Sequence, residues 1–256
     1  MSPLLSVEAA GVRRGRERVL DEVSLEVGPG EVVGVLGANG SGKTTLLRAA
    51  LGLIALESGT AALSGEDVHG LAPAEKARRV GYLPQERRLA WNVPAWRAAS
   101  LGAIDQPPAR ARDIALACLE KVGLAALAER GVFDMSGGER ARVLLARLFA
   151  TRAPLLIADE PAAGLDPDAQ FLTLELLRAH AAAGGAVVVT LHDLGLAARM
   201  CDRLLVLRQG RVAATGPAAQ ALTREVLAAA FALDGELIDT PAGAVVAARR
   251  LTERME

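Results

Sequence analysis

Eight consecutive residues of this chain have the types and spacing needed to hold a phosphate chain. Gly37, Ala38, Asn39, Gly40, Ser41, Gly42, Lys43 and Thr44 carry glycine at the first position and Gly-Lys-Thr at the end, and Thr45 follows. This is the pattern of a phosphate-binding loop, or P-loop. Its glycines let backbone N–H groups turn inward around the phosphates, and the helix that follows adds partial positive charge at its N-terminus. Lys43 is placed to reach the β- and γ-phosphates, and the Thr44 hydroxyl to ligate Mg²⁺. The flanks agree with this reading. Residues 31–36 are a mostly apolar run of strand length, and residues 45–51 have helical spacing.

A second constellation lies far along the chain. Four apolar residues, 155–158, deliver the adjacent carboxylates Asp159 and Glu160. In open α/β sheets ligands sit at the carboxyl ends of strands. Adjacent strand residues point opposite ways, which gives the two acids different jobs. Asp159 is the expected Mg²⁺ holder, and Glu160 the expected general base toward an attacking water. A third constellation is Ser136, Gly137, Gly138 and Glu139, directly before a helical stretch at 140–150. A hydroxyl, two glycines and a helix N-terminus make a second phosphate-type end. The same residues also read as an ordinary Ser N-cap.

Taken in order, these motifs resemble the nucleotide-binding subunit of an ATP-binding cassette (ABC) transporter, over about residues 4–235. Residues 135–139 resemble the family's signature, with Met135 in the usual Leu position and Glu139 in a common variant. The resemblance implies further roles. Gln85 matches the Q-loop glutamine, which touches Mg²⁺ and the water when the site closes. Asp166, in 163–166, matches the D-loop, and His192 matches the switch histidine. It also implies ATP and Mg²⁺ as ligands and a head-to-tail dimer with a second copy, in which the P-loop of one subunit and residues 136–139 of the other sandwich each ATP. The family usually stacks an aromatic ring on adenine from near the N-terminus. Here Arg14 stands in that region, either stacking on the base through its planar guanidinium or forming part of a solvated basic turn.

These residues need an α/β scaffold. The expected fold is a P-loop NTPase core with a mostly parallel sheet, an N-terminal antiparallel β subdomain and an inserted helical subdomain. One ABC domain is expected over 1–256, with 1–85 and 151–240 as the α/β core and 86–150 as the helical subdomain. Alternation at 5–9 and 23–27 predicts half-buried antiparallel strands. Further strands are expected at 59–63, 80–83, 187–191, 203–207 and 211–214, with a weak one at 236–239. Helices are expected at 74–79, 94–101, 109–122, 168–182, 193–200 and 224–232. The chain is 51% hydrophobic and only 3% aromatic, as suits parallel sheet and helices.

Composition excludes several classes. A net charge of −1 gives no electrostatic case for nucleic acid. No run approaches a membrane span, and the first residues lack the pattern of a signal peptide. Cys118 and Cys201 lie far apart in apolar stretches and are expected to be buried free thiols. The stretches 82–93 and 192–203 resemble importers for iron–siderophore, haem and cobalamin. That resemblance implies a motor ATPase at the cytoplasmic face of the cell membrane, bound to polytopic permease subunits and, through them, to a substrate-binding protein. A soluble cassette ATPase of the iron–sulfur assembly type is the alternative. Arg87, Arg88 and Trp91, following Gln85, are of types enriched at interface hot spots and are the expected contact with the permease. Packing of Trp91 into the subdomain core is the other reading.

Overall fold

A computed structural model describes residues 2–86 and 89–251. The chain opens with β1 (Leu5–Arg14) and β2 (Glu17–Val27), an antiparallel hairpin whose alternating residues bury Leu5, Val7, Leu20, Val23 and Leu25. Next comes β3 (Val32–Leu36), buried at every position, and the glycine loop leads from it into α1 (Lys43–Ala50). β4 (Ser58–Leu63) and the two-residue β5 (Glu66–Asp67) complete a sheet of order β2-β1-β4-β5. After α2 (Pro73–Arg79) and β6 (Val80–Leu83) the chain leaves for a helical block of α3 (Ala95–Ser100), α4 (Pro108–Lys121) and α5 (Gly137–Ala150). It returns through β7 (Leu155–Ala158), α6 (Pro167–Ala182), β8 (Ala186–Thr190), α7 (Leu194–Met200), β9 (Arg203–Arg208) and β10 (Arg211–Gly216). The short α8 (Ala218–Ala221) and α9 (Arg224–Phe231) precede a terminal hairpin of β11 (Leu233–Thr240) and β12 (Gly243–Arg250).

The central sheet runs β10-β9-β3-β8-β7-β6, parallel throughout except for the β9–β10 hairpin. Its strands are apolar at nearly every position because both faces are covered. Alternate residues divide between two cores. Val33, Val35, Leu155, Ile157, Val188 and Leu205 pack with α1 and the antiparallel sheet. Val32, Leu36, Leu156, Val187, Val189 and Leu204 pack with the helical block and the C-terminal helices. The glycine loop and α1 are therefore held between two sheets. Both cysteines are buried in the second core, and burial pushes the Cys201 thiol up to about 12, which leaves it protonated and unreactive.

Two local differences from the sequence expectation have physical reasons. α1 begins at Lys43, because Gly42 supplies a left-handed N-cap (φ 104) that starts the helix two residues early. The terminal segment is a full hairpin, not one weak strand at 236–239. Gly235, Asp239 and the alanines of β12 are poor strand formers, and packing decides here. Leu237 and Val246 reach the core, and β12 lies against α7, where Gly243 abuts the Arg199 side chain.

The turn between β9 and β10 locks the two sheets together at the loop. Gly210 N–H donates to Ser41 O at 3.1 Å, and Gly210 O accepts from Asp21 N–H at 2.8 Å. Arg211 and Arg18 both pair with Asp21. Gly210 has φ +77, and a Cβ there would stand 2.4 Å from Val19 O. Gly210→Ala is expected to destabilise by about 1–3 kcal/mol, lowering the melting temperature by roughly 2–10 °C. Gly15→Ala, at φ +62 with nothing within 4 Å, carries only the backbone strain. A thermal melt showing equal losses for the two variants would refute the locking role.

Candidate nucleotide-binding site

Four strand ends of the central sheet converge on one hydrogen-bonded cluster. β3 delivers the glycine loop and Lys43, β6 delivers Gln85, β7 delivers Asp159 and Glu160, and β8 delivers Thr190 and His192. Asp159 is fully buried, and a buried carboxylate requires partners. Both of its oxygens have one. The Thr44 hydroxyl donates to Oδ2 at 2.7 Å and the Thr190 hydroxyl donates to Oδ1 at 2.6 Å. Its own N–H donates to Leu83 O at 2.8 Å, which ties it to β6.

Glu160 lies past the end of β7 with φ +53, a left-handed conformation that non-glycine residues adopt at a cost of about 1–3 kcal/mol. The different aims of the two acids therefore come from this backbone reversal and not from strand alternation. Three contacts hold the reversal. Glu160 N–H donates to Thr190 Oγ1 at 2.7 Å, Gln85 Nε2 donates to Oε2 at 2.9 Å, and His192 Nε2 lies 2.6 Å from Oε1. The structure thus brings Gln85, Glu160 and His192 together. Thr190 was not singled out from sequence. Its signal was a hydroxyl at the end of a strand that flanks β7, two residues before His192.

Lys43 is buried, and its Nζ donates to Gly37 O at 2.8 Å and Ala38 O at 3.1 Å. Burial pulls its pKa down, while Glu160 and Asp159 oppose that pull. Gly42, at φ +104, meets β2 so closely that a Cβ would lie 2.8 Å from the Leu20 side chain. A cavity of about 430 Å³ opens over the loop. It is lined by Asn39, Gly40, Gly42, Lys43, Thr44, Thr45, Gln85 and Glu160, with Arg14, Glu17 and Val19 from the β1–β2 hairpin. Ala38 and Ser41 border a second cavity of about 260 Å³ on the loop's other side.

The residues fit a magnesium nucleotide. The Ser41 hydroxyl is buried without a hydrogen-bond partner among the described residues. Thr44 and Asp159 offer hard oxygen donors. Among the described residues no cluster of three His, Cys, Asp or Glu could cage a metal. Mg²⁺ takes one or two protein oxygens and shares the rest with phosphates and water.

Residues 136–139 lie elsewhere. Ser136 caps α5. Its Oγ accepts from Glu139 N–H at 3.2 Å, and its own N–H donates to the Glu139 carboxylate at 2.7 Å, a reciprocal capping box. That hydrogen bond from the Ser136 backbone holds the Glu139 carboxyl below its usual range. Ser136, Gly137, Gly138 and Glu139 do not line the P-loop cavity of their own chain. Asp166 caps α6, accepting from Ala169 N–H at 2.9 Å. Trp91 is 75% exposed, so it does not pack into the helical core, whereas Trp96 does pack against it. Arg87 and Arg88 lie outside the described residues. No helix among the described residues is long and apolar enough to cross a membrane.

Comparison with known proteins agrees with this geometry. The ABC transporter family model matches residues 20–163. The hemin import ATP-binding protein HmuV of Pseudomonas entomophila is 40% identical over 238 residues, which cover 90% of this chain and 93% of that one. The cobalamin import ATP-binding protein BtuD of Halobacterium salinarum is 40% identical over 255 residues, 98% of this chain, and the chain spans 63% of that relative's length. Among solved structures, an inward-facing metal-chelate type ABC transporter superposes with a TM-score of 0.83 at 25% identity, over 99% of this chain and 100% of that one. With a family match over more than half its length and relatives this similar across nearly all of it, the chain belongs to the ABC transporter family.

Proposed function

We propose that the chain is the ATP-hydrolysing motor subunit of a membrane importer for an iron chelate, haem or a cobalamin-type compound. The observation that carries the reading is Glu160, held between Gln85 and His192 at the mouth of the Lys43–Thr44 cavity. The names of the relatives support the substrate class.

Each residue then has a defined task. Lys43 leaves the Gly37 and Ala38 carbonyls for the β- and γ-phosphates, whose charge compensates its burial. Thr44 and Asp159 would hold Mg²⁺, which when bound would neutralise charge on the phosphate chain. Glu160 accepts a proton from water as the water oxygen bonds to the γ-phosphorus. The bond from that phosphorus to the bridging oxygen breaks, and ADP and phosphate leave. Gln85 and His192 orient the Glu160 carboxylate through its two oxygens, while Thr190 fixes its backbone.

One chain presents phosphate-binding groups from one side only. Its second helix end, at Ser136, is capped and turned away from its own cavity. A second copy placed head to tail brings Ser136–Glu139 over the nucleotide and completes the charge stabilisation. The exposed Trp91, with the half-exposed Phe133 next to its neighbour Asn92, offers an apolar surface beside the Gln85 segment. This surface receives a cytoplasmic segment of the permease, which places the chain at the membrane as a peripheral subunit.

Glu160→Gln is expected to retain ATP binding and lose hydrolysis by roughly 10²–10⁴-fold, leaving a stable ATP-bound dimer on gel filtration. Near-normal turnover would remove Glu160 as the base. Mixing a Lys43→Ala subunit with a Ser136→Arg subunit creates a heterodimer with one intact site. Photolabelling with an azido-ATP is expected to reappear in the mixture, and its absence contradicts the trans geometry. Replacing Arg88 and Trp91 together with Ala is expected to abolish co-purification with the permease. Trp91→Ala alone should leave the melting temperature within about 2 °C, as for other exposed side chains. Normal assembly of the double variant places the docking surface elsewhere.

A further inference from the structure

Tyr82 is the only tyrosine of the chain, and its phenol oxygen is buried without a hydrogen-bond partner among the described residues. A buried hydroxyl left unpaired is costly, and folded proteins keep few of them. β6 fixes where this one sits. Tyr82 is the register partner of Ile157 on β7, and both side chains pack on the core shared with α1. Asp159 lies two residues past Ile157 and by strand alternation comes to the same face. Strand spacing and rise put its backbone about 8 Å from that of Tyr82 on the diagonal, a gap that a tyrosine side chain reaches across. α1 completes the surroundings. Thr44, which donates to Asp159, and Arg48 are four residues apart on one face of that helix. The Arg48 guanidinium lies beside the phenol without hydrogen-bonding geometry. Burial pushes the phenol's pKa up, Arg48 pulls against that push and Asp159 adds to it, so Tyr82 stays protonated and keeps its donor.

We propose that Tyr82 is a positioning residue for Asp159: when a magnesium nucleotide occupies the cavity, the phenol accepts from Arg48 and donates to the Asp159 carboxylate. This deepens the nucleotide reading of the cavity and rests on it. The three groups are complementary. A guanidinium only donates, an ionised carboxylate only accepts, and a phenol does both. Each Asp159 oxygen takes one hydroxyl donor, from Thr44 on Oδ2 and Thr190 on Oδ1, and has a second lone pair to offer. α1 carries Thr44 and Arg48 together, so a change at the metal-holding end of the helix is felt at the phenol. A bond to a charged group that forms only on loading stabilises the loaded state over the other, and so raises affinity without adding to the stability of the protein alone.

The test uses the full chain, equilibrium binding of ADP with Mg²⁺ or with a chelator, and thermal melts without added nucleotide. Tyr82→Phe keeps the ring and removes only the hydroxyl. It is expected to weaken MgADP binding by about tenfold, the scale of one hydrogen bond to a charged group. Binding of ADP in chelator, where Asp159 has no metal to hold, should change by less than about threefold, and the melting temperature should stay within about 2 °C or rise. Arg48→Gln should weaken MgADP in the same direction. Biosynthetic 3-fluorotyrosine labels one position, and its single fluorine resonance should move with MgADP, a movement that Arg48→Gln largely removes. Unchanged MgADP affinity in Tyr82→Phe overturns the proposal, and so does a fall in melting temperature with equal losses for MgADP and for ADP in chelator, which marks Tyr82 as core alone. Lys43→Ala separates the two levels. If it binds MgADP as tightly as the unmodified protein, the nucleotide lies elsewhere, and the cavity reading falls together with the role of Tyr82. If it weakens binding and Tyr82→Phe does not, only the role of Tyr82 falls.

Discussion

The Asp159 carboxylate is the interaction on which the site depends. It is fully buried at the end of β7, and it holds a hydroxyl from α1 on one oxygen and a hydroxyl from β8 on the other. A charge buried without partners costs far more than a hydrogen bond returns. The positions of α1, β7 and β8 at their site-facing ends are therefore coupled through this one group. The same Thr190 hydroxyl that donates to Asp159 accepts from Glu160 N–H. The polar chain thus runs from Thr44 at the end of the glycine loop, through the buried acid, to the backbone that aims Glu160.

That chain explains how a strained residue persists. Glu160 in the left-handed region needs surroundings that determine it more strongly than its own preference. The Thr190 contact fixes its backbone, and Gln85 and His192 fix its side chain. The four groups come from three parallel strands, whose registers are set by apolar residues packed on both faces of the sheet. A shift of any one strand by a residue would exchange its two cores and also break the polar chain. Core packing and site geometry are thus enforced by the same register.

Much of this was legible in the sequence because the signals are local. A glycine loop between a strand run and a helical run identifies itself, and continuous apolar runs such as 155–158 mark strands covered on both faces. The partners of Asp159 were less legible. Thr190 lies 31 positions away in sequence, and nothing in its neighbourhood announces that its hydroxyl will face β7. The reversal at Glu160 was hidden too, since no glycine marks it and the cause is tertiary. The terminal hairpin was underread for the opposite reason: Gly235 and the alanines of β12 look like poor strand formers, and their pairing is imposed by the packing against α7 and α9. Trp91 illustrates a limit of residue type as evidence, because an indole next to a helical block reads equally well as core or as surface.

The two ends of the cavity are built to different standards. At the phosphate end, backbone from β3 and α1 is pinned between two sheets, bridged to β2 by the Gly210 peptide, and closed by a buried acid. At the hairpin-tip end stand the exposed side chains of Arg14 and Glu17, and no ring lines the cavity among the described residues. Rigid, desolvated groups contribute most where charge changes during reaction, and the γ-phosphate is that place. An exposed charged pair contributes less and is more open to change, since nothing else in the core depends on it. Substitutions at Arg14 or Glu17 therefore leave the geometry of the phosphate end undisturbed, whereas the Asp159 chain admits no comparable variation.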